Sequence, residues 1–202
     1  MPRRHEFDVD LADASLTGFA SNVTGATFTL TATEATDGLA HQVSIRNDSA
    51  TDHAGKTITL VGTDPEGRAL TEVVTGPGTS ATVESTGYFL TLTSATPSAT
   101  IGADTFDIGW VDEVATAEYV LDHYQNTAAT VSVDVTGTID FTVQETFDDP
   151  FGTVVWVAVS ALANKTADTT SQVSMHATAV RCIVNSYSSG AELQMTVIQS
   201  RH

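Results

Sequence analysis

Cysteine occurs once in these 202 residues, at Cys182, lysine twice, at Lys56 and Lys165, and proline five times. A single cysteine excludes a disulfide framework within one chain and the paired thiols of redox or zinc motifs. Eight basic residues against 25 acidic ones leave a formal net charge of −17. With no basic face to neutralise phosphates, direct binding to nucleic acid or to anionic membrane is not expected. Residues 1–115 carry a net charge of −11 and residues 116–202 one of −6, so no isolated acidic tail accounts for the balance. Apolar residues make up 41% of the chain but fall in short runs, none long enough to span a membrane. The opening MPRRHEF lacks the apolar core of an export signal, and export is not expected. The length suffices to bury a core without a metal or disulfide to hold it.

What the chain has in excess is threonine, 34 residues of it. The branched Cβ restricts χ1 in helices and suits half-buried pleated surfaces, so this abundance points to an all-β protein. Alternation with a period of two supports that assignment. Phe28, Leu30 and Ala32 alternate with Thr27, Thr29 and Thr31; His41, Val43 and Ile45 with Gln42 and Ser44; Ile58 and Leu60 with Thr57 and Thr59; Phe106, Ile108 and Trp110 with Asp107 and Gly109. Residues 62–68, GTDPEGR, separate two strand-length runs and predict a hairpin, with Pro65 presetting φ and glycine free to take positive φ. Residues 81–84 and 87–93 predict two further strands.

Residues 112–127 lose the threonine alternation and read as an extended connector, with the domain boundary near 115. Beyond it, Val131, Val133 and Val135, then Ile139, Phe141 and Val143 after a tight turn at Gly137, resume the pattern. Val154, Trp156 and Ala158 continue it, residues 163–172 read as a polar loop, and Val180, Cys182 and Val184 precede a last strand with Leu193, Met195 and Val197. The expected fold is therefore all-β, two small antiparallel β-sandwich or jelly-roll-like modules joined by a short connector. Residues 1–115 form the first, with an N-terminal arm over residues 2–15, and residues 116–202 the second.

Motifs that would announce chemistry are missing: no glycine-rich phosphate loop, metalloprotease helix or nucleophile elbow is present. Cys182 with His176 would need a fold that brings them together, and the alternation with Val180 and Val184 makes Cys182 a core thiol. His41, His53, His123 and His176 are too scattered for a metal site and read as surface residues. Carboxylates cluster at Asp8 with Asp10, Asp104 with Asp107, Asp112 with Glu113, and Asp148 with Asp149, but none follows the spacing of a helix–loop–helix calcium site. Turn-making and solvated charge are the roles expected of them. Trp110 and Trp156 lie in strand patterns and read as core anchors rather than sugar-stacking platforms. No catalytic, cofactor-binding or metal-ligating residue is assigned, and no enzyme activity is expected. Lysine, the usual guard of exposed strand edges, is nearly absent, so edge protection by burial in an assembly is expected.

Three stretches, VSIRNDSATDHAGKTITLVGTDPEGRALTEVVTG at 43–76, GYFLTLTSATPSATIGADTFDIGW at 87–110 and VTGTIDFTVQETFDDPF at 135–151, resemble virion structural proteins of tailed bacteriophages. Within that group the size, the two β modules and the acidity are most similar to head decoration or cement proteins. The resemblance implies a non-enzymatic particle component on the outer head surface. Its implied partners are the major capsid protein, whose neighbouring subunits it bridges, and copies of itself in a homotrimer. It implies no cofactor and no catalytic residue. A neck or tail component, or a carbohydrate-binding host-attachment module, is the alternative.

Overall fold

The computed structural model describes residues 3–122, 128–152 and 154–199. The chain divides into two compact units, Ala12–Val114 and the combination of Met1–Leu11 with Ala115–His202. Among the described residues there is no α-helix; the single helical element is a 3-10 turn at Ser160–Leu162. The all-β expectation, with antiparallel sheets in a sandwich or jelly-roll-like arrangement, holds.

In the Ala12–Val114 unit, β2 (Ser15–Val23) pairs with β8 (Phe106–Ala115), β8 neighbours β3 (Ala40–Asn47), and β3 pairs with β6 (Thr82–Phe89). A second sheet has β4 (Thr57–Thr63) between β5 (Ala69–Thr75) and β7 (Thr91–Pro97). The core consists of inward residues of both sheets: Val43 and Ile45, Ile58 and Leu60, Phe89, Leu92, Phe106, Ile108 and Trp110. Full burial of each such side chain contributes roughly 1.5–3 kcal/mol. The β4–β5 hairpin keeps one register from Thr57↔Thr75 to Thr63↔Ala69. Its turn is the expected one: Gly67 takes φ +76°, and the Asp64 carboxylate accepts the N–H groups of Glu66 and Arg68.

In the other unit, one sheet runs β1 (Arg3–Asp10), β15 (Glu192–Gln199), β10 (Thr130–Thr136), β13 (Thr169–Gln172). A second group contains β11 (Ile139–Thr146) between β12 (Val157–Ala158) and β14 (Ala179–Tyr187), with β9 (Tyr119–Val120) also on β14. Val131, Val133, Phe141, Val143, Val180, Cys182, Val184, Leu193, Met195 and Val197 are all buried, as their alternation predicts. Gly137 makes the expected tight turn with φ +85°.

Several local expectations need correction. Phe28 is buried against Phe106, 5.7 Å between ring centroids, but residues 28–32 are not a strand. The N–H groups of Thr31 and Ala32 both go to the one carbonyl of Phe19, so there is no ladder to extend. The N-terminal arm is the full strand β1, paired with β15 from Arg3↔Gln199 to Asp10↔Glu192, with His5 stacked on Tyr119 at 4.5 Å. The break expected at residues 85–86 is a bulge inside β6, where the Ser85 hydroxyl accepts the Val43 N–H at 2.8 Å. Residues 163–172 contain β13, while the stretch from Val154 contributes only the two exposed residues of β12. The connector is extended as far as it is described; Pro2, His123 and Tyr124 lie outside the described residues.

The edge argument also changes. β1 presents exposed Arg4, Glu6, Asp8 and Asp10, and β13 is a polar four-residue strand, so charge and shortness guard these edges without lysine.

Gly109 marks the tightest approach in the Ala12–Val114 unit. A Cβ there would lie 1.7 Å from the Ser15 carbonyl oxygen, a backbone atom that cannot rotate away. Gly109→Ala is expected to lower stability by about 3 kcal/mol, whereas Gly55→Ala, with open space around it, changes it by well under 1 kcal/mol. Urea unfolding midpoints of the two variants check this.

Candidate functional site

The ionisable groups fall into small constellations built by strand ends and the loops that follow them. The most enclosed is at the start of β3. His41 is fully buried, with Nδ1 2.8 Å from the Val111 carbonyl oxygen and Nε2 2.9 Å from Asp37 Oδ2. Both ring nitrogens thus face oxygen atoms. Asp37 in turn accepts the backbone N–H groups of Ala12 at 2.9 Å and Leu39 at 3.0 Å. Burial pushes the Asp37 carboxyl upward, but the hydrogen bonds from His41, Ala12 and Leu39 together with the nearby imidazole outweigh it and hold the group below the usual carboxylate range.

A second constellation ties the loop before β4 to the one before β8. His53 is buried with its ring edge-on to Phe106, its Nε2 3.0 Å from Asp104 Oδ2 and its Nδ1 2.7 Å from Lys56 Nζ. Hydrogen bonding from Thr51, then from His53 and Ser49, keeps Asp104 below the usual range despite some opposing desolvation. The expectation that His41 and His53 are surface residues is therefore overturned: each anchors a loop through a carboxylate. His176 is exposed.

The carboxylate pairs adjacent in sequence mostly separate in space. Asp104 faces His53, whereas buried Asp107 accepts the Asn22 N–H at 2.9 Å and lies beside Asp48. A side-chain hydrogen bond between Asp48 and Asp107, with lesser contributions from burial and like charge, raises the Asp48 carboxyl against the opposing pull of Arg46. Asp112 accepts the Ala14 N–H at 2.8 Å, while Glu113 takes the Tyr88 hydroxyl and, at 3.4 Å, the Gln42 amide. Asp148 and Asp149 accept the Val155 and Phe151 N–H groups, as turn-making carboxylates do.

Asp8 and Asp10 are the pair that stay together. With Asp134, Asp168 and Glu192 they line an open concavity of about 630 Å³ across β1, β15 and β10. Asp8 is bonded to the Gln194 amide at 2.6 Å and Asp168 to the Val135 N–H at 2.9 Å. Among the described residues, no three His, Cys, Asp or Glu side chains converge as a metal-holding set.

Cys182 is buried, as its alternation predicts, and burial pushes its thiol up to about 12. Trp110 is a core anchor, with its indole N–H on the Asp13 carbonyl at 3.1 Å. Trp156 is not: it is half-buried in an irregular segment, with the Arg181 guanidinium 4.5 Å from its ring centroid. Sequence reasoning also missed the exposed apolar side chains of the same segment, Phe147, Phe151, Val155 and Val157. A lapse of strand alternation across FDDPFGTVVW was the available signal.

No protein-family model matches the sequence, and no curated protein is significantly similar to it. Two solved structures align along nearly its whole length. The crystal structure of the major capsid protein P2 from bacteriophage PM2 is 9% identical, with 98% of this chain and 99% of that chain covered and a TM-score of 0.23. The structure of infectious bursal disease virus Gx strain is 17% identical, with 98% and 71% covered and a TM-score of 0.22. At such scores the backbones do not superpose as one fold, and neither likeness carries weight for fold or function.

The Asp37 network makes a pH-dependent contribution. Because the folded carboxyl is held below its ordinary value, the stability it adds is present above the unfolded pKa of about 3.9 and is lost as pH falls through the folded value. Asp37→Asn is expected to cost about 3 kcal/mol near neutrality, with the gap to wild type closing in the acid range below about pH 4. Urea titrations of both proteins at a series of pH values check the sign and the window.

Proposed function

We propose that this protein is a non-enzymatic structural component of a tailed-phage particle. In the finer form of the proposal it is a decoration or cement protein on the outer head surface, where a homotrimer bridges neighbouring major capsid subunits. The work is adhesion: many repeated contacts add buried area to a shell under internal pressure, and closed symmetry is the usual form of such an oligomer.

The observation that carries the reading is where the resembling stretches lie in the fold. Residues 43–76 supply most of β3 and all of β4 and β5, residues 87–110 supply the end of β6, β7 and the first half of β8, and residues 135–151 supply β11 with the start of the excursion that follows it. The stretches that resemble virion proteins thus take in core strands of both units together with the loops that join them. The fate of the reactive groups supports it further. Cys182 is a buried thiol, while His41, His53 and the carboxylates beside them are engaged with backbone or with one another. The acidity of the chain fits a position away from DNA. A carbohydrate-binding module is less well supported, since Trp110 is buried and Trp156 carries a guanidinium over its ring.

Copy number separates the head from other locations. Quantitative mass spectrometry of purified particles is expected to find this chain in hundreds of copies, in fixed ratio to the major capsid protein. A few copies per particle would move it to the neck or tail, and its absence from particles would overturn the proposal.

A further inference from the structure

We propose that the excursion between β11 and β12 is a docking loop whose occupant is a protein surface offering an apolar pocket rimmed by lysine and arginine. The identity of the occupant rests on the virion reading above, in which that surface belongs to a major capsid subunit.

β11 and β12 pair only at Gln144↔Ala158 and Glu145↔Val157, and between these pairs the chain leaves the sheet. Ten large hydrophobic side chains are exposed among the described residues, and four of them belong here: Phe147 at 51%, Phe151 at 81%, Val155 at 65% and Val157 at 49%. Of the other six, Val61 and Val73 are diagonal neighbours across the β4–β5 ladder, and Leu16, Val120, Met175 and Ile198 fall on four further segments. Concentration of two phenylalanines and two valines in one short excursion is not ordinary, and marks an interaction surface.

The described residues of the excursion make hydrogen bonds with one another and with Thr178. Asp148 Oδ2 accepts the Val155 N–H at 2.7 Å, and the Thr178 hydroxyl donates to the Asp148 carbonyl at 2.6 Å. Asp149 Oδ1 accepts the Phe151 N–H at 3.0 Å, its carbonyl accepts the Gly152 N–H at 2.9 Å, and Pro150 is buried. Arg181 fixes Trp156 from above while donating to Gln144 at 2.9 Å. Phe151 therefore stands in solvent, 81% exposed, beside a turn closed by the Asp149 carboxylate.

Charge selects the occupant. From residue 147 to 158 the sequence contains Asp148 and Asp149 and no lysine or arginine, on a chain of net charge −17. A second copy of the chain, an anionic membrane or a nucleic acid would meet this loop with charge of the same sign. A cationic protein rim complements it, and an apolar pocket accepts the phenylalanines. Each phenylalanine buries about 150–250 Å², so the loop supplies the anchoring centre of an interface near the usual ~800 Å² per partner.

The test uses particles grown without this chain, to which full-length protein is added back. Wild type and Val73→Ser, a change of an exposed valine on β5, are expected to bind alike, with affinity falling as salt is raised. The double variant Phe151→Ser with Val155→Ser is expected to bind about thirtyfold more weakly or worse, at an unchanged thermal midpoint because both side chains are exposed. Phe151→Ser alone repeats the measurement if the double variant loses its midpoint, and Phe151→Leu is expected to retain most of the binding. Equal binding by wild type and the serine variants would overturn the docking loop and leave the virion reading standing. Failure of wild type itself to bind would overturn both.

Discussion

Strand register is the constraint on which the rest of this structure depends. Because side chains alternate across a strand, a slip of one residue along β4 would turn Ile58 and Leu60 to solvent and bring Thr57 and Thr59 into the core. The unbroken seven-pair β4–β5 ladder and its Asp64–Gly67 turn fix that register at one end of the sheet, and the β4–β7 pairing fixes it on the other side. The same logic governs β10 and β15, where Val131, Val133, Leu193, Met195 and Val197 are buried. Neither unit has an α-helix among its described residues to cover a misplaced apolar face.

Polar residues then serve to hold the irregular segments against this frame. Asp37 joins Ala12, Leu39 and His41; Asp104 joins His53; Glu72 accepts the N–H groups of Thr86 and Gly87 at 2.8 Å each. Buried donors left without such partners would each cost about 1–3 kcal/mol. Carboxylates outnumber bases heavily, and several of them, Asp64, Asp112, Asp148 and Asp168 among them, accept backbone N–H groups and so hold loops and strand ends.

Much of the fold was legible in the sequence because a period of two reports which face of a strand is buried. It does not report whether a strand has a neighbour. Residues 28–32 carry the alternation without a ladder, while β1 carries a weaker one and gains a complete partner in β15, nearly the whole chain away. The histidines were illegible for a related reason. His53 and Asp104 are 51 positions apart, and only the closed unit makes them neighbours. Trp156 was misplaced because the apolar run around it matches a strand in composition, yet only Val157 and Ala158 pair.

The exposed aromatic excursion and the acidic, charge-guarded edges are the features on which the proposed particle role rests. Cryo-electron microscopy of the intact particle tests that account most directly. It should contain two all-β densities per copy, repeated on the shell lattice, with the segment carrying Phe151 seated against a neighbouring subunit. A particle whose shell is fully explained by other chains, with this protein left free in solution, would contradict it.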